Sequence, residues 1–134
     1  MCAAGITDIP VILAGLLTAC EMATEIVVPK APVPGQQTFL KFTLRSPIDF
    51  AIVSVASIVT MDKDVCTDAR IALGAVGPGP LRAKTAEDFL KGGILDKKTA
   101  TEASELALAG SKPLSGNAYK VEIAKTLVKR ALLS

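Results

Sequence analysis

The stretch from 48 to 76, IDFAIVSVASIVTMDKDVCTDARIALGAV, carries the strongest structural pattern in the chain. Residues 48–59 are apolar on both faces and rich in Val and Ile, which predicts a long, mostly buried strand or a short helical turn leading into one. The polar residues 61–64 predict a turn, and the alternating pattern of 69–76 predicts a second strand. The two strands would pair as an antiparallel hairpin through that turn.

Another strand pattern precedes this hairpin, and helix patterns follow it. Residues 38–44 alternate between two faces, as in a strand, and the segment 74–80 (GAVGPGP) predicts a loop. Because strands come first and helices last, the order predicts an α+β fold. We expect a small antiparallel sheet of three to four strands with about three helices packed on one face.

Three segments after the loop have helix patterns. The first begins near Thr85, with acidic residues in its first turn, and ends at the glycine pair 92–93. Residues 99–102 (TATE) form a capping-box pattern that predicts the start of the second helix, which Gly110 ends. Residues 119–133 place apolar side chains on one side and charged ones on the other, which predicts the third helix.

The composition is that of one globular domain. Of 134 residues, 50% are hydrophobic and 21% charged, unlike a disordered chain, which is poor in apolar residues. The net charge of +2 is too small to indicate a nucleic-acid partner or an anionic membrane surface.

The uncharged run 9–20 follows no basic residue and is shorter than the ~20 residues that span a bilayer, so we expect a buried segment and no membrane partner.

Histidine and cysteine usage narrows the chemistry. The sequence has no histidine, which excludes Ser–His–Asp and Cys–His catalytic sets and removes the commonest transition-metal ligand. Three cysteines, widely spaced and without a CxxC pair, predict a reducing, cytoplasmic setting. Of these, Cys66 is either a small buried residue or a reactive thiol.

Arg82 and Lys84, which follow the glycine- and proline-rich loop, are candidate binding residues. Either they are solvated at the entry to a helix, or they contact an anion or a cofactor. Pro78 and Pro80 lack the N–H groups that a phosphate-binding loop needs. The loop is therefore either a tight connection or a point where a ligand or partner backbone approaches closely.

Asp49 and Arg70 lie inside the two predicted apolar strands. An isolated buried charge is costly, so such groups are usually paired. We expect an ion pair of Asp49 with Arg45 or Arg70, and a catalytic carboxylate is the alternative.

Three further stretches, taken in order, carry a family resemblance: residues 21–29 (EMATEIVVP), residues 41–56 (KFTLRSPIDFAIVSVA) and residues 68–90. They resemble the segments E-L-L-T-E-I-x-V-P, K-F-x-x-R-x-x-x-D-F-A-x-V-S-V-A and D-A-R-I-A-L-G-x-V…P-x-R-A-x-x-A-E-x-x-L. These segments are found in the flavoprotein (medium) subunit of molybdenum hydroxylases, the group that includes aerobic carbon monoxide dehydrogenases and xanthine dehydrogenases.

The resemblance implies that residues 30–134 are the C-terminal domain of that subunit and residues 1–29 the tail of the preceding flavin-domain segment. In the family this domain is an α+β unit, and the intact subunit holds FAD. Electrons pass from the molybdenum subunit through an iron–sulfur subunit to the flavin, and then to an acceptor. The implied partners are therefore those two subunits and an N-terminal FAD-binding domain.

The family's glycine-rich pyrophosphate motif does not occur in these 134 residues, so we expect FAD to be held only in the intact subunit. By position, the resemblance puts Lys84 near the flavin ring, and Met22 and Ala23 where leucines flank it. Arg82 is the fourth candidate cofactor-binding residue. No catalytic or metal-binding residue is predicted, and the alternative function is a stand-alone protein-interaction domain without redox activity.

Overall fold

A computed structural model describes residues 24, 25 and 27 and the ranges 35–45 and 48–134. In this part of the chain the elements are β1 (Gln36–Phe42), β2 (Val53–Asp62), β3 (Val65–Gly74), β4 (Leu81–Arg82), α1 (Lys84–Leu90), α2 (Lys97–Leu108) and α3 (Tyr119–Leu132). The strands form one antiparallel sheet in the order β1-β2-β3-β4. The predicted α+β fold is confirmed.

The β2–β3 hairpin forms the centre of the sheet. Val55 pairs with Leu73, and the buried side chains of both strands lie on one face. A register shift between Thr60 and Met61 turns Cys66 onto the same face, where it is fully buried. The opposite face of β2 is partly exposed, so this strand is covered on one side rather than on both.

The start of β2 differs from the prediction. Residues 48–52 precede the strand, and both Ile48 and Phe50 are exposed. The prediction of a mostly buried strand is wrong for this segment, because apolar composition predicts burial without specifying which surface supplies it. Asp49 consequently lies before the strand and not within it.

The helices and the buried face of the sheet share one core built from small side chains. α3 contacts β1 and β2, α1 contacts β3, and α2 contacts both other helices. Small residues let backbones approach closely, and so a chain with only 4% aromatic residues can fill its interior. The buried helix residues include Ala86, Ala100, Ala103, Ala124, Val128 and Ala131.

Two connections leave the sheet at the same end. Phe42 pairs with Val53, and Ser54 pairs with Gly74, so the β1–β2 and β3–β4 connections start from neighbouring positions. We call this the loop end of the sheet. A methyl group on Gly74, the last residue of β3, would lie too close to Ser54 Oγ, so a larger residue there would require the Ser54 side chain to move.

The N-terminus of α2 has a different capping box from the one predicted. The capping box of α2 joins Asp96 to Thr99, not Thr99 to Glu102, and the helix begins at Lys97. Thr99 N donates to Asp96 Oδ1 at 2.7 Å, and Asp96 N donates to Thr99 Oγ1 at 2.8 Å. Asp96 has the extended backbone that an N-cap requires. The predicted third helix is confirmed as α3.

Replacing Asp96 by Ala removes the N-cap acceptor of α2, so we expect a lower free energy of unfolding. The backbone N–H of Thr99 holds the pKa of the Asp96 carboxyl below its ordinary value of 3.8. Because the folded-state pKa is the lower one, the stabilisation is present above the unfolded-state pKa and is lost as the pH falls through the folded-state pKa. Urea denaturation should therefore show a destabilisation at neutral pH that shrinks below pH 3.8.

The control is Glu105→Ala, an exposed position on the same helix. It should change the free energy of unfolding less at neutral pH. An equal loss of stability from Asp96→Ala at every pH would contradict the cap's electrostatic contribution.

Candidate functional site

The candidate site lies where β4 passes into α1. Ala83 N donates to Ile71 O at 3.0 Å, which continues the sheet by one residue. Ala83 O, however, accepts the N–H of Glu87 at 3.0 Å as the first bond of α1. The Ile71 N–H, which a longer β4 would have paired with Ala83 O, instead donates to Glu87 Oε1 at 2.7 Å.

A bidentate ion pair holds Glu87 in this position. Arg82 Nε lies 2.7 Å from Glu87 Oε1, and Arg82 Nη2 lies 2.5 Å from Oε2. Glu87 is only 4% exposed, so its charge needs this compensation.

The sequence pattern indicated Glu87 only as an acidic residue in the first turn of a helix. The signal that could have identified it is its position beside Ala83 and Ala86, on the side of the helix that faces the sheet.

A cleft of about 380 Å³ opens beside this junction, at the loop end. Its lining combines apolar residues with three cations and, among the described residues, no carboxylate. Arg82 belongs to this lining, whereas Lys84 is exposed at the first position of α1 and lies outside it. The lining includes Leu73, Val76, Leu81, Arg82, Lys112, Lys120 and Val121.

The four predicted cofactor-binding residues have different positions. Met22 and Ala23 lie outside the described residues. Arg82 is bound to Glu87 and so has a structural role, and Lys84 is a solvated residue at the helix entry. The structure therefore brings Arg82 and Lys84 to one junction, and their contact with a cofactor stays a prediction.

The other candidate residues have structural explanations. Asp49 pairs with Arg45, with Nε–Oδ2 at 3.3 Å, and this hydrogen bond holds the pKa of Asp49 below its ordinary value. Arg70 instead pairs with Asp68, 3.4 Å away. Burial raises the pKa of the Cys66 thiol, which disfavours the reactive thiolate.

Within residues 35–45 and 48–134, together with Thr24, Glu25 and Val27, no three His, Cys, Asp or Glu residues lie together as a metal site. In the same part of the chain, no helix has the length and apolar character needed to cross a membrane.

Comparison with known proteins identifies the family. The sequence model of the CO dehydrogenase flavoprotein C-terminal domain matches residues 38–134. The chain belongs to this family. The match confirms the resemblance to the FAD-binding medium subunit of molybdenum hydroxylases and covers all four strands except the first two residues of β1.

Two curated relatives have sequences similar to this CO dehydrogenase flavoprotein C-terminal domain. The nicotine 6-hydroxylase medium subunit of Paenarthrobacter nicotinovorans is 31% identical over 124 residues, which is 87% of this chain and 42% of the relative. Xanthine dehydrogenase of Blastobotrys adeninivorans is 35% identical over 95 residues, 69% of this chain and 7% of that enzyme.

Solved structures agree with the sequence comparison. Quinoline 2-oxidoreductase from Pseudomonas putida 86 superposes with a TM-score of 0.69 at 35% identity, over 74% of this chain and 36% of that one. A carbon monoxide dehydrogenase from Hydrogenophaga pseudoflava that lacks the Mo-pyranopterin moiety gives a TM-score of 0.71 at 29% identity, over 79% and 38%. The domain thus spans less than half the length of these relatives.

The concavities at the loop end can be compared with what FAD requires. Besides the cleft, a depression of about 430 Å³ is lined by Lys41, Arg45, Ile48, Asp49 and Phe50. Both are open to solvent, whereas cofactor sites bury most of the ligand surface. The described residues therefore form open concavities that are lined partly by cations, and a second surface would have to cover them before they could enclose a cofactor.

Glu87→Ala should destabilise the domain by about 2–3 kcal/mol, because it leaves Arg82 without its carboxylate and the Ile71 N–H without its acceptor. The measurement is the free energy of unfolding in urea. The matched control is Glu102→Ala, which removes an exposed ion pair with Lys98 at 4.0 Å and should cost no more than about 0.5 kcal/mol. Equal costs for the two variants would show that the junction does not depend on Glu87.

Proposed function

We propose that this chain is the C-terminal domain of a flavoprotein subunit that passes electrons from an iron–sulfur/molybdenum hydroxylase through FAD to an acceptor. The observation that carries the proposal is the family match over residues 38–134. The partial coverage of each relative, 36–42% for the flavoprotein-sized chains, supports a domain that works with a further part of the subunit. In this proposal residues 30–134 form the domain and residues 1–29 the tail of the preceding flavin-domain segment.

In this proposal an N-terminal FAD-binding domain makes most of the contacts with FAD. This chain covers one side of the bound cofactor. When bound, FAD supplies the ring that accepts and releases electrons. Met22 and Ala23 would line that ring, and Lys84 would place a positive charge near it. Arg82 would act through its pair with Glu87, which fixes the β4–α1 junction from which Lys84 projects.

The proposed partners are the iron–sulfur and molybdenum subunits as well as the FAD-binding domain, in the cytoplasm. The modest net charge of +2 is compatible with protein partners and gives no reason to add a nucleic acid. The oxidised substrate would bind elsewhere in the assembly, since the described residues contribute no catalytic set.

The full chain purified alone should retain no stoichiometric FAD, because its concavities are open. Recovered through a tag from its source cells, it should bring an FAD-binding polypeptide with flavin absorbance, together with iron–sulfur and molybdenum subunits. The measurements are absorbance spectra and mass spectrometry of both preparations. Stoichiometric flavin on the isolated chain would contradict the divided site, and recovery without those subunits would favour the interaction-domain alternative.

Lys84→Gln should lower the flavin reduction potential in the assembled complex, because a nearby cation stabilises the more negative, reduced state. A loss of about 1.4 kcal/mol corresponds to roughly 30 mV for a two-electron couple. The measurement is a spectroelectrochemical titration. Lys97→Gln, which removes an exposed lysine at the start of α2, should leave the potential unchanged. An unchanged potential in Lys84→Gln would remove Lys84 from the flavin site.

A further inference from the structure

The β1–β2 connection exposes large apolar side chains that the sequence pattern predicts to be buried. Leu44 is 82% exposed, Ile48 89% and Phe50 94%. Single exposed apolar residues are ordinary, but three on one short connection, two of which line the same depression, are of the kind that marks an interaction surface. We refer to Leu44, Ile48 and Phe50 as the apolar loop.

Polar contacts restrain the described residues of this loop. Asp49 is the centre: its Oδ1 accepts the N–H of Phe50 at 2.9 Å, its Oδ2 pairs with Arg45, and its backbone carbonyl accepts from Lys41 Nζ at 3.1 Å. At the base, Ile52 N donates to Phe42 O at 2.9 Å. The described part of the loop is thus pre-organised, so it loses less conformational entropy when a partner binds.

The apolar loop lies at the same end of the sheet as the cleft. Both lie at the loop end, where the β1–β2 and β3–β4 connections start from neighbouring strands. The same end carries the exposed Leu81 and the cleft described above, and it also carries the depression lined partly by Ile48 and Phe50. A partner large enough to cover the loop end would contact both the apolar loop and the cleft.

We propose that the apolar loop is the surface by which this domain docks onto the FAD-binding part of its subunit. The inference rests on the proposed function and adds to it the contact surface. More than half of each flavoprotein-sized relative lies outside the region this chain matches, so a large surface is available to cover the loop. Bulky side chains at the centre of an interface carry most of its binding energy, and Phe50 and Ile48 have that character.

The charges around the loop define the partner surface further. Lys41 and Arg45 flank Asp49, and Lys112 and Lys120 line the neighbouring cleft, so the surroundings of the apolar loop are net positive. The complementary surface is an apolar pocket with acidic residues at its rim. A second copy of this chain fits less well, because a two-fold contact would bring the two positive surrounds together.

Photocrosslinking tests the contact directly in the full chain. Phe50→p-benzoylphenylalanine and, as control, Ile94→p-benzoylphenylalanine would be expressed with a tag in the source cells. Ile94 is also exposed (61%) but lies beside Val65, at the opposite end of the sheet. We expect position 50 to crosslink to an FAD-containing polypeptide, identified by mass spectrometry and flavin absorbance, and position 94 not to crosslink to it.

Charge substitutions give a second readout. Phe50→Glu should reduce recovery of the FAD-containing polypeptide by at least about tenfold, the effect of losing an interface anchor, with an unchanged circular dichroism spectrum. Ile94→Glu should change recovery less than about twofold. Because Phe50 makes little contact within the chain, its loss should not unfold the domain.

The outcomes separate the docking surface from the proposed function. If the wild-type chain retains the FAD-containing polypeptide but position 50 does not crosslink to it, or Phe50→Glu retains it fully, the docking surface is wrong and the function stands. A crosslink from position 50 to a second copy of the chain overturns the docking assignment in favour of self-association. If the wild-type chain retains no FAD-containing polypeptide, both are overturned.

Discussion

The buried carboxylate of Glu87 connects the two layers of this domain. One oxygen takes the place of a missing β4 carbonyl and accepts the Ile71 N–H, so the sheet edge remains satisfied where the strand stops. Both oxygens bind Arg82, which is the last residue of that strand. The first turn of α1 is thereby fastened to β3 and β4 together. The position of Lys84 and the shape of the adjacent cleft follow from this contact, because both depend on where the chain turns from strand to helix.

Much of the fold could be predicted because its main elements are defined by local patterns. The β2–β3 hairpin combines two strand patterns with a polar turn, and α3 has a continuous apolar face, so these elements were predicted even though the start of β2 was not. The sequence did not determine where α2 begins, because two capping boxes are possible there. Asp96 with Thr99, and Thr99 with Glu102, have the same capping-box spacing, and only the extended backbone at Asp96 decides between them.

The site was less predictable because its residues act through long-range contacts. Nothing local to Glu87 indicates that its acceptor oxygen meets Ile71, which is 16 positions earlier in the chain. The sequence indicated Arg82 as a candidate cofactor-binding residue, but its partner Glu87 could not be predicted from spacing alone. The segment around Phe50 was predicted to be buried and is exposed; its composition is that of an interior, which a docked partner would provide. Under the docking proposal, this mismatch between composition and exposure is what a surface covered in the assembly would show.

Docking and electrostatics at this end of the sheet depend on each other. Arg82 is neutralised within the domain by Glu87, which leaves Lys84 as the exposed cation at the junction. In contact with water, such a charge is strongly screened and acts weakly at a distance. If a partner covers this end of the sheet as proposed, water would be displaced from the junction, the effective dielectric constant would fall, and the same charge would act more strongly on a bound group. In the proposed assembly, the charge of Lys84 would therefore act on the flavin only after docking has displaced water, and the isolated domain would lack this effect.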